Sequence, residues 1–500
     1  MREFERFNTV CANAYVQPMM ADYLLRLLVR LRDMGACCPV YMIHSGGGLI
    51  SVQTAAAFPV RLVESGPAGG AIFAADVARR FGLDRVVSYD MGGTTAKICL
   101  IEDFAPRTAR TFEVARTTRF AKGSGMPISI PVIEMIEIGA GGGSLAHVDA
   151  MGRIHTGPES AGSEPGPACY QRGGTRPAIT DADVVLGKID PDNFAGGAIR
   201  LSSLLAIEAI VRDVGTPLQL DPTSAAFGIA EVVDENMANA ARVHAVENGR
   251  DIADNVMIAF GGAAPLHAAR LCEKLGIDRC LVPRGAGVGS AIGFLRAPFG
   301  YEALVSRITR LSSFDVPGVN AMLRDLRNTA EGFVMPHAQG RVTCEVTAFM
   351  RYLGQGWEIP VALSARPFGE GDVQRLRDDF RTAYARFFGR AIDGMDGLEI
   401  EVVTWSVKAE DEQGEPALHG ITIGHDHKGL SDRRMVFDPT EGRALSTAIH
   451  DRESLPLGAR LPGPAVIVER ETSTVVTSSF DVVKQGDGSL MLIRKGTYDA

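Results

Sequence analysis

A short run, Asp90-Met91-Gly92-Gly93-Thr94-Thr95, has the residue types and spacing for phosphate chemistry. Consecutive glycines remove side chains, so backbone N–H groups can face an anion. Thr94 and Thr95 add hydroxyl donors. Asp90, at the end of an apolar run, can hold Mg2+ directly or through water. Lys97 adds positive charge two residues on. The same D-x-G-G pattern is also a plain β-hairpin turn, and on its own it favours neither reading.

Two further glycine segments lie downstream. Ala259-Phe260-Gly261-Gly262-Ala263-Ala264-Pro265 reads as a strand, a double glycine and a helix start. Gly261, Gly262 and Ala263 would let a flat ring such as adenine lie on the backbone, although a simple strand-to-helix turn has the same pattern. Gly285-Ala286-Gly287-Val288-Gly289-Ser290-Ala291-Ile292-Gly293 fails the strict G-x-G-x-x-G dinucleotide fingerprint. Gly289 and Gly293, four apart, suit a close helix crossing and an interdomain hinge. No Walker A motif occurs.

Other groups carry weaker signals. Gly139 to Ser144 could line a pocket or form a hairpin turn. Asp181 and Asp183 flank a helix start, where carboxylates cap backbone N–H groups. Glu134, Glu137, His147 and His155 are candidate acid–base groups, each against a structural alternative. His425-Asp426-His427 lacks a third metal ligand and reads as surface. Cys169 beside Tyr170 reads as a buried thiol rather than a nucleophile.

The elements that must position these residues alternate between helix and strand. Helical spacing covers residues 18–32, and a small-residue helix covers 71–81, opened by Ser65 to Gly70. Strands at 86–89 and 95–101 flank the Asp90 turn as a hairpin. Strands at 131–138 and 144–148 would pair around the 139–143 glycines, followed by a long ordered loop at 157–177. The longest helix is expected over 225–246. Then come a strand at 256–260, a helix at 265–275 and a strand at 280–282. Beyond about 300–340 the pattern becomes strand-rich, at 342–352, 400–408 and 465–476, with one helix at 372–388.

Composition narrows the function classes. The chain has 500 residues, 46% of them hydrophobic and 22% charged, which suits a globular protein of two or three domains. Its net charge of −9 argues against a nucleic-acid partner. No apolar run reaches the roughly 18 residues of a membrane span, and the charged N-terminus is no signal peptide. Eight cysteines without a C-x-x-C pair read as reduced thiols and a cytoplasmic location.

The order of the glycine segments resembles the ATPase type shared by actin, hexokinase and the large heat-shock chaperones. Longer stretches sharpen the likeness. They include Glu3-Phe4-Glu5-Arg6, Ser65-Gly66-Pro67-Ala68-Gly69-Gly70, Tyr89 to Thr95, Ile138 to Ser144 and Gly157-Pro158-Glu159-Ser160-Ala161-Gly162. Pro165 to Tyr170, Thr180-Asp181-Ala182-Asp183, Ala259 to Ala263, Arg351 to Gln355 and Gly463 to Ile467 extend it. Together they resemble the hydantoinase A/5-oxoprolinase family, related to acetone carboxylase ATP-binding subunits.

That resemblance implies an α/β fold. Residues 1–305 would be an actin-like, ribonuclease-H-like ATPase core, incomplete at its N-terminus. Residues 315–500 would be a strand-rich C-terminal domain. It implies ATP and Mg2+ as cofactors and a B-type partner subunit. Asp90 would bind the metal, Gly92, Gly93, Thr94 and Thr95 the phosphates, and Gly261, Gly262 and Ala263 the adenosine, with Lys97 a further catalytic candidate. The implied reaction is ATP-dependent opening of a cyclic amide such as a hydantoin or 5-oxoproline. Alternatives are an acetone carboxylase-like subunit or a non-catalytic scaffold. Members of the family begin with a domain carrying a first Asp-x-Gly-Gly-Thr hairpin. A second such motif does not occur here, so half of the nucleotide clamp is expected from elsewhere or lost.

Overall fold

The computed structural model describes residues 3–115, 123–338, 340–369, 371–388, 397–412, 414, 417–427 and 431–497. It is a mixed α/β protein with extensive sheets. Helix α1 is Glu3–Asp33, longer than the spacing predicts and with Pro18 inside it. Only Leu24 of α1 is fully buried, and its outer face leaves Phe4, Phe7, Tyr15, Leu25 and Val29 exposed. Helix α2, Ser65–Phe81, ends at Gly82, whose left-handed φ of 64° caps it.

The principal sheet is assembled from distant segments. Its strands in chain order are β1 (Arg85–Met91), β2 (Ala96–Glu102), β3 (Met135–Ile138), β4 (Val256–Phe260), β5 (Arg279–Val282), β6 (His425–Asp426), β7 (Ala459–Pro462), β8 (Phe480–Lys484) and β9 (Leu490–Arg494). The spatial order is β3-β2-β1-β4-β5-β9-β8-β7-β6, with a short strand Ala105–Pro106 beside β2. β4 runs parallel to both β1 and β5. It is buried at every position, as a parallel strand covered on both faces must be. The C-terminal strands rejoin this sheet: β9 pairs antiparallel with β5, from Arg279↔Ile493 to Val282↔Leu490.

Three helices close on the sheet. Helix α3, Pro222–Glu247, starts at Asp221, whose side chain accepts from the N–H groups of Thr223 and Ser224. Helix α4 is Ala264–Leu275 and α5 is Gly289–Phe294. α5 crosses α2 almost in backbone contact. A Cβ on Gly293 would lie 1.8 Å from the Gly69 carbonyl oxygen, and one on Gly69 would lie 2.2 Å from Phe294. The small residues read from the sequence are therefore the means of this crossing.

Residues 300–411 form a five-stranded sheet with helices Val316–Val334 and Asp372–Phe388. Trp405, Phe380 and Met350 are buried in its own core. A four-stranded sheet takes Asp432–Asp438, Arg443–Asp451, Ala465–Val468 and Ser473–Val476. The 315–500 segment is thus shared among three sheets, one of them the principal sheet.

One expected pairing fails. Residues 131–138 and 144–148 do not pair with each other. β3 pairs antiparallel with β2, from Met135↔Cys99 to Ile138↔Ala96, while Ser144–Val148 pairs with Ile154–Ser160. The intervening glycines are committed elsewhere, as described below. All eight cysteines are free thiols. No helix among the described residues is long and apolar enough to cross a membrane.

Candidate functional site

The β1–β2 hairpin runs in register from Arg85↔Glu102 to Met91↔Ala96. The Gly92 N–H closes it on the Thr95 carbonyl at 3.1 Å. A Cβ at Gly92 or Gly93 would meet nothing within 4 Å, and neither has a positive φ. Neither packing nor backbone conformation requires glycine there among the described residues. Among the described residues, no group accepts the N–H of Gly93 or Thr94. The hairpin tip therefore combines open space with uncommitted donors, the arrangement that holds an anion.

Two other glycine segments meet the hairpin. Gly142 and Gly143 donate their N–H groups to the carbonyls of Gly92 and Gly93 at 3.0 and 2.6 Å. A Cβ on Gly141 would sit 2.6 Å from the Thr94 nitrogen. Thr180 in turn holds the Gly142 carbonyl through its N–H at 2.7 Å and its hydroxyl at 2.8 Å. The 139–143 loop thus braces the hairpin: the Gly142 and Gly143 N–H groups are spent on its carbonyls and that of Gly141 on Ser144 Oγ. Gly261, at φ 97°, must be glycine: a Cβ there would lie 2.4 Å from the Met91 carbonyl oxygen. Ala263 donates its N–H to that same oxygen at 2.9 Å. Gly262 differs, since the nearest atom to its would-be Cβ is the Glu471 carbonyl oxygen at 4.0 Å.

Asp90 stands between the hairpin and the helix crossing. Its Oδ2 accepts a hydrogen bond from Ser290 of α5 at 3.1 Å. Gly70 of α2 and Gly261 crowd its carboxylate, their would-be Cβ atoms 3.1 and 2.6 Å from its oxygens. Burial raises its pKa; Lys97 and the Ser290 bond oppose this without cancelling it. Such a carboxylate gains from a cation. No cluster of three or more potential metal-ligating His, Cys, Asp or Glu side chains occurs among the described residues. One buried carboxylate beside the open hairpin tip is a donor set that Mg2+ can use, since that ion commonly takes one or two carboxylates with phosphate oxygens and water.

Lys97 is engaged within the protein. Its Nζ lies 2.5 Å from Thr95 Oγ1 and 3.6 Å from Glu137 Oε1. Glu137 is therefore in the neighbourhood, cross-strand from Lys97. Sequence reasoning missed Glu64, which precedes α2 with a left-handed φ of 62°. Burial raises its pKa, the Glu137 charge adds to that, and Lys97 opposes. An acidic residue next to a Ser-Gly-Pro helix start was the available signal. Ser290 was also missed, because only the fold brings it to Asp90.

Other candidates sit apart from this cluster or serve the structure. His147 and His155 are a stacked cross-strand pair on an exposed hairpin, His155 bonded to Asp149. Glu134 faces Arg107 at 3.9 Å. His425 and Asp426 form the exposed edge strand β6. Burial first, then Asp181, raises the Cys169 pKa and makes it an inert thiol. Asp181 accepts from the N–H groups of Ala168, Cys169 and Ala178 at 3.1, 2.7 and 2.8 Å, which bears out capping.

Asp183 has a different role. It joins a buried charge cluster with Lys188 at 2.9 Å and His267 Nε2 at 3.2 Å, while His267 Nδ1 meets Asp234 at 2.8 Å. Burial alone would lower the His267 pKa. Asp183 and Asp234 outweigh it and the Lys188 charge, raising the pKa to about 9.

Comparison with known proteins places these features in a wider set. A family model described as Hydantoinase/oxoprolinase matches residues 6–303. The caprolactamase subunit alpha of Pseudomonas jessenii is 31% identical over 501 residues, covering 96% of this chain and 68% of that protein. The acetophenone carboxylase gamma subunit of Aromatoleum aromaticum is 37% identical over 501 residues, covering 95% and 65%. The crystal structure of ATP-dependent caprolactamase from Pseudomonas jessenii superposes with a TM-score of 0.80 at 28% identity, covering 99% of this chain and 71% of that one.

Proposed function

This chain belongs to the hydantoinase/oxoprolinase family, and from that premise we propose that it binds ATP at the Asp90 hairpin and uses it to open a cyclic amide of the hydantoin or 5-oxoproline type. The main support is that Gly92 and Gly93 border open space although nothing among the described residues requires glycine at either position. The core around 1–305, completed by the returning C-terminal strands, is read as actin-like, with the α2–α5 crossing as its hinge. A B-type subunit is the expected partner.

The chemistry follows from the weak electrophilicity of an amide. The amide oxygen attacks the γ-phosphorus of ATP and ADP leaves. Water then adds to the activated carbon, the C–N bond breaks, and the nitrogen takes up a proton. Hydrolysis of the resulting acyl phosphate releases inorganic phosphate. The protein's share is positioning and charge stabilisation. Gly93 and Thr94 N–H groups and the Thr94 and Thr95 hydroxyls would hold phosphate oxygens. Asp90 would hold Mg2+, whose charge would stabilise the transferring phosphoryl group. Lys97 would contribute charge while orienting Thr95, and Gly262 and Ala263 would border the nucleoside. Glu64, with its raised pKa, is the candidate to take a proton from the attacking water.

The similarity to an acetophenone carboxylase subunit favours a second reading, phosphorylation of a ketone enolate or bicarbonate at the same ATP site. Calorimetry of Mg-ATP binding to the chain, beside Asp90→Ala, tests the common premise. Binding that disappears in the variant is expected, and no binding by the wild-type chain would overturn it. ADP release with a B-type partner then separates the readings: hydantoin or lactam dependence supports amide opening, bicarbonate dependence the carboxylase.

A further inference from the structure

We propose that the outer face of α1 is the interface of a homodimer, in which two copies of the helix lie antiparallel across a two-fold axis. The helix spans Glu3–Asp33, about 45 Å at 1.5 Å per residue. Phe4, Phe7, Cys11, Tyr15, Leu25 and Val29 fall on one side of it at the helical period, and all six are exposed. Tyr15 is 87% exposed and Phe7 68%. An apolar stripe of this length marks an interaction surface, unlike single apolar residues scattered over a surface.

The rest of the chain holds α1 from the opposite side. Asn8 Nδ2 donates to the Pro127 carbonyl at 3.4 Å, and the Ser129 N–H donates to Thr9 Oγ1 at 2.7 Å. Asn13 donates to the Ala57 carbonyl and accepts from the Val60 N–H, both at 3.2 Å. Leu24 is buried in a cluster with Ile50, Val52 and Ala55. These contacts fix the helix with its apolar stripe turned outward.

Charge and symmetry select a second copy as the occupant. The first turn of α1 carries Glu3 and Glu5, and the last turn carries Arg30 and Arg32. An antiparallel pair brings the acidic pair of each copy beside the basic pair of the other, whereas a parallel pair would set like charges together. The stripe is self-complementary in the same register. Phe4 comes opposite Val29, Phe7 opposite Leu25 and Cys11 opposite Asp22, with Tyr15 and Pro18 near the two-fold axis. Such a contact uses one patch on both copies and closes on itself, so assembly through it stops at the dimer.

The test is sedimentation velocity of the full chain across a wide concentration range, where a dimer is expected. Phe7→Glu with Leu25→Glu should give a monomer with unchanged circular dichroism, because both side chains are exposed. Glu3→Lys with Glu5→Lys, and separately Arg30→Glu with Arg32→Glu, should each weaken the dimer about tenfold, the scale of four surface pairs lost together. Mixing these two variants should restore it, since each supplies the charges that the other lacks. Asp22→Cys, oxidised with diamide, should form a disulfide with the native Cys11 of the second copy. Within one helix those positions are about 16 Å apart, beyond the reach of a disulfide. A chain that stays monomeric throughout, or a dimer that survives Phe7→Glu with Leu25→Glu, would overturn the proposal. A different polypeptide that covers α1 and is lost in that variant would overturn it as well, and would leave the ATP reading untouched.

Discussion

Ser290 donates a hydrogen bond to Asp90 Oδ2 at 3.1 Å, joining residues 200 positions apart. The bond crosses from α5 to the tip of β1, so the carboxylate senses where α5 lies against α2. If the crossing acts as the proposed hinge, a shift of α5 against α2 would move that donor, and with it the charge state of Asp90.

Ser290→Ala should therefore raise the Asp90 pKa above its already raised value, because the lost bond favours the ionised form. A metal needs the ionised carboxylate. Mg-ATP affinity should fall by about 10- to 150-fold, from a charged hydrogen bond worth roughly 1.5–3 kcal/mol. The deficit should widen as pH falls toward the raised carboxylate range in which Asp90 takes up a proton. Calorimetry across that range checks this, and a loss equal at every pH would exclude the titration mechanism.

Glycines at the crossing and at the hairpin should respond oppositely. Gly293→Ala puts a Cβ against the Gly69 carbonyl, and the backbones must part. A cost of about 2–3 kcal/mol is expected, read as a lower unfolding midpoint. Gly92→Ala meets open space and should change stability by no more than about 0.5 kcal/mol. It should still cut nucleotide affinity tenfold or more. Destabilisation by Gly92→Ala would point to a structural reason for that glycine.

The buried imidazolium of His267 predicts a pH dependence of stability. Its folded pKa, about 9, lies above the ordinary 6.5. Its contribution is therefore fully present below pH 6.5 and is lost as pH rises through 9. By linkage this amounts to up to about 3 kcal/mol. Thermal midpoints should fall between pH 6.5 and 9, and His267→Gln should flatten that slope while lowering the midpoint at pH 6.5. A variant with the wild-type slope would assign the dependence to other groups.

Local signals were legible where the chain's own chemistry sets the structure. The Asp90 hairpin, the small-residue helices and the double glycine after β4 all occur where residue type and period indicate. The reading failed where a partner from far along the chain decides. The 139–143 glycines look like a hairpin turn until the Gly92 and Gly93 carbonyls claim their N–H groups. Residues 490–494 read as part of a separate domain, yet their backbone edge pairs with β5 in the principal sheet. His267 sits on a helix whose sequence does not reveal that Asp183 and Asp234 will enclose it.

Glu64 separates strain from chemistry. A non-glycine residue in the left-handed region costs about 1 kcal/mol or more and persists when its surroundings enforce it. Its side chain makes no cap for α2, so helix capping does not account for it. Glu64→Gly should relieve the strain and raise stability by about 1 kcal/mol. If the carboxylate takes a proton from the attacking water, both Glu64→Gly and Glu64→Gln should lower turnover by about 100-fold or more, the usual scale of general-base catalysis. Mg-ATP affinity should remain near wild type, since the proposed nucleotide contacts lie on the hairpin. Its raised pKa adds a signature: turnover should drop on the acid side at a pH above the ordinary carboxylate range, where Glu64 protonates. Full turnover in Glu64→Gln would remove it from the reaction and leave the strain without a catalytic purpose.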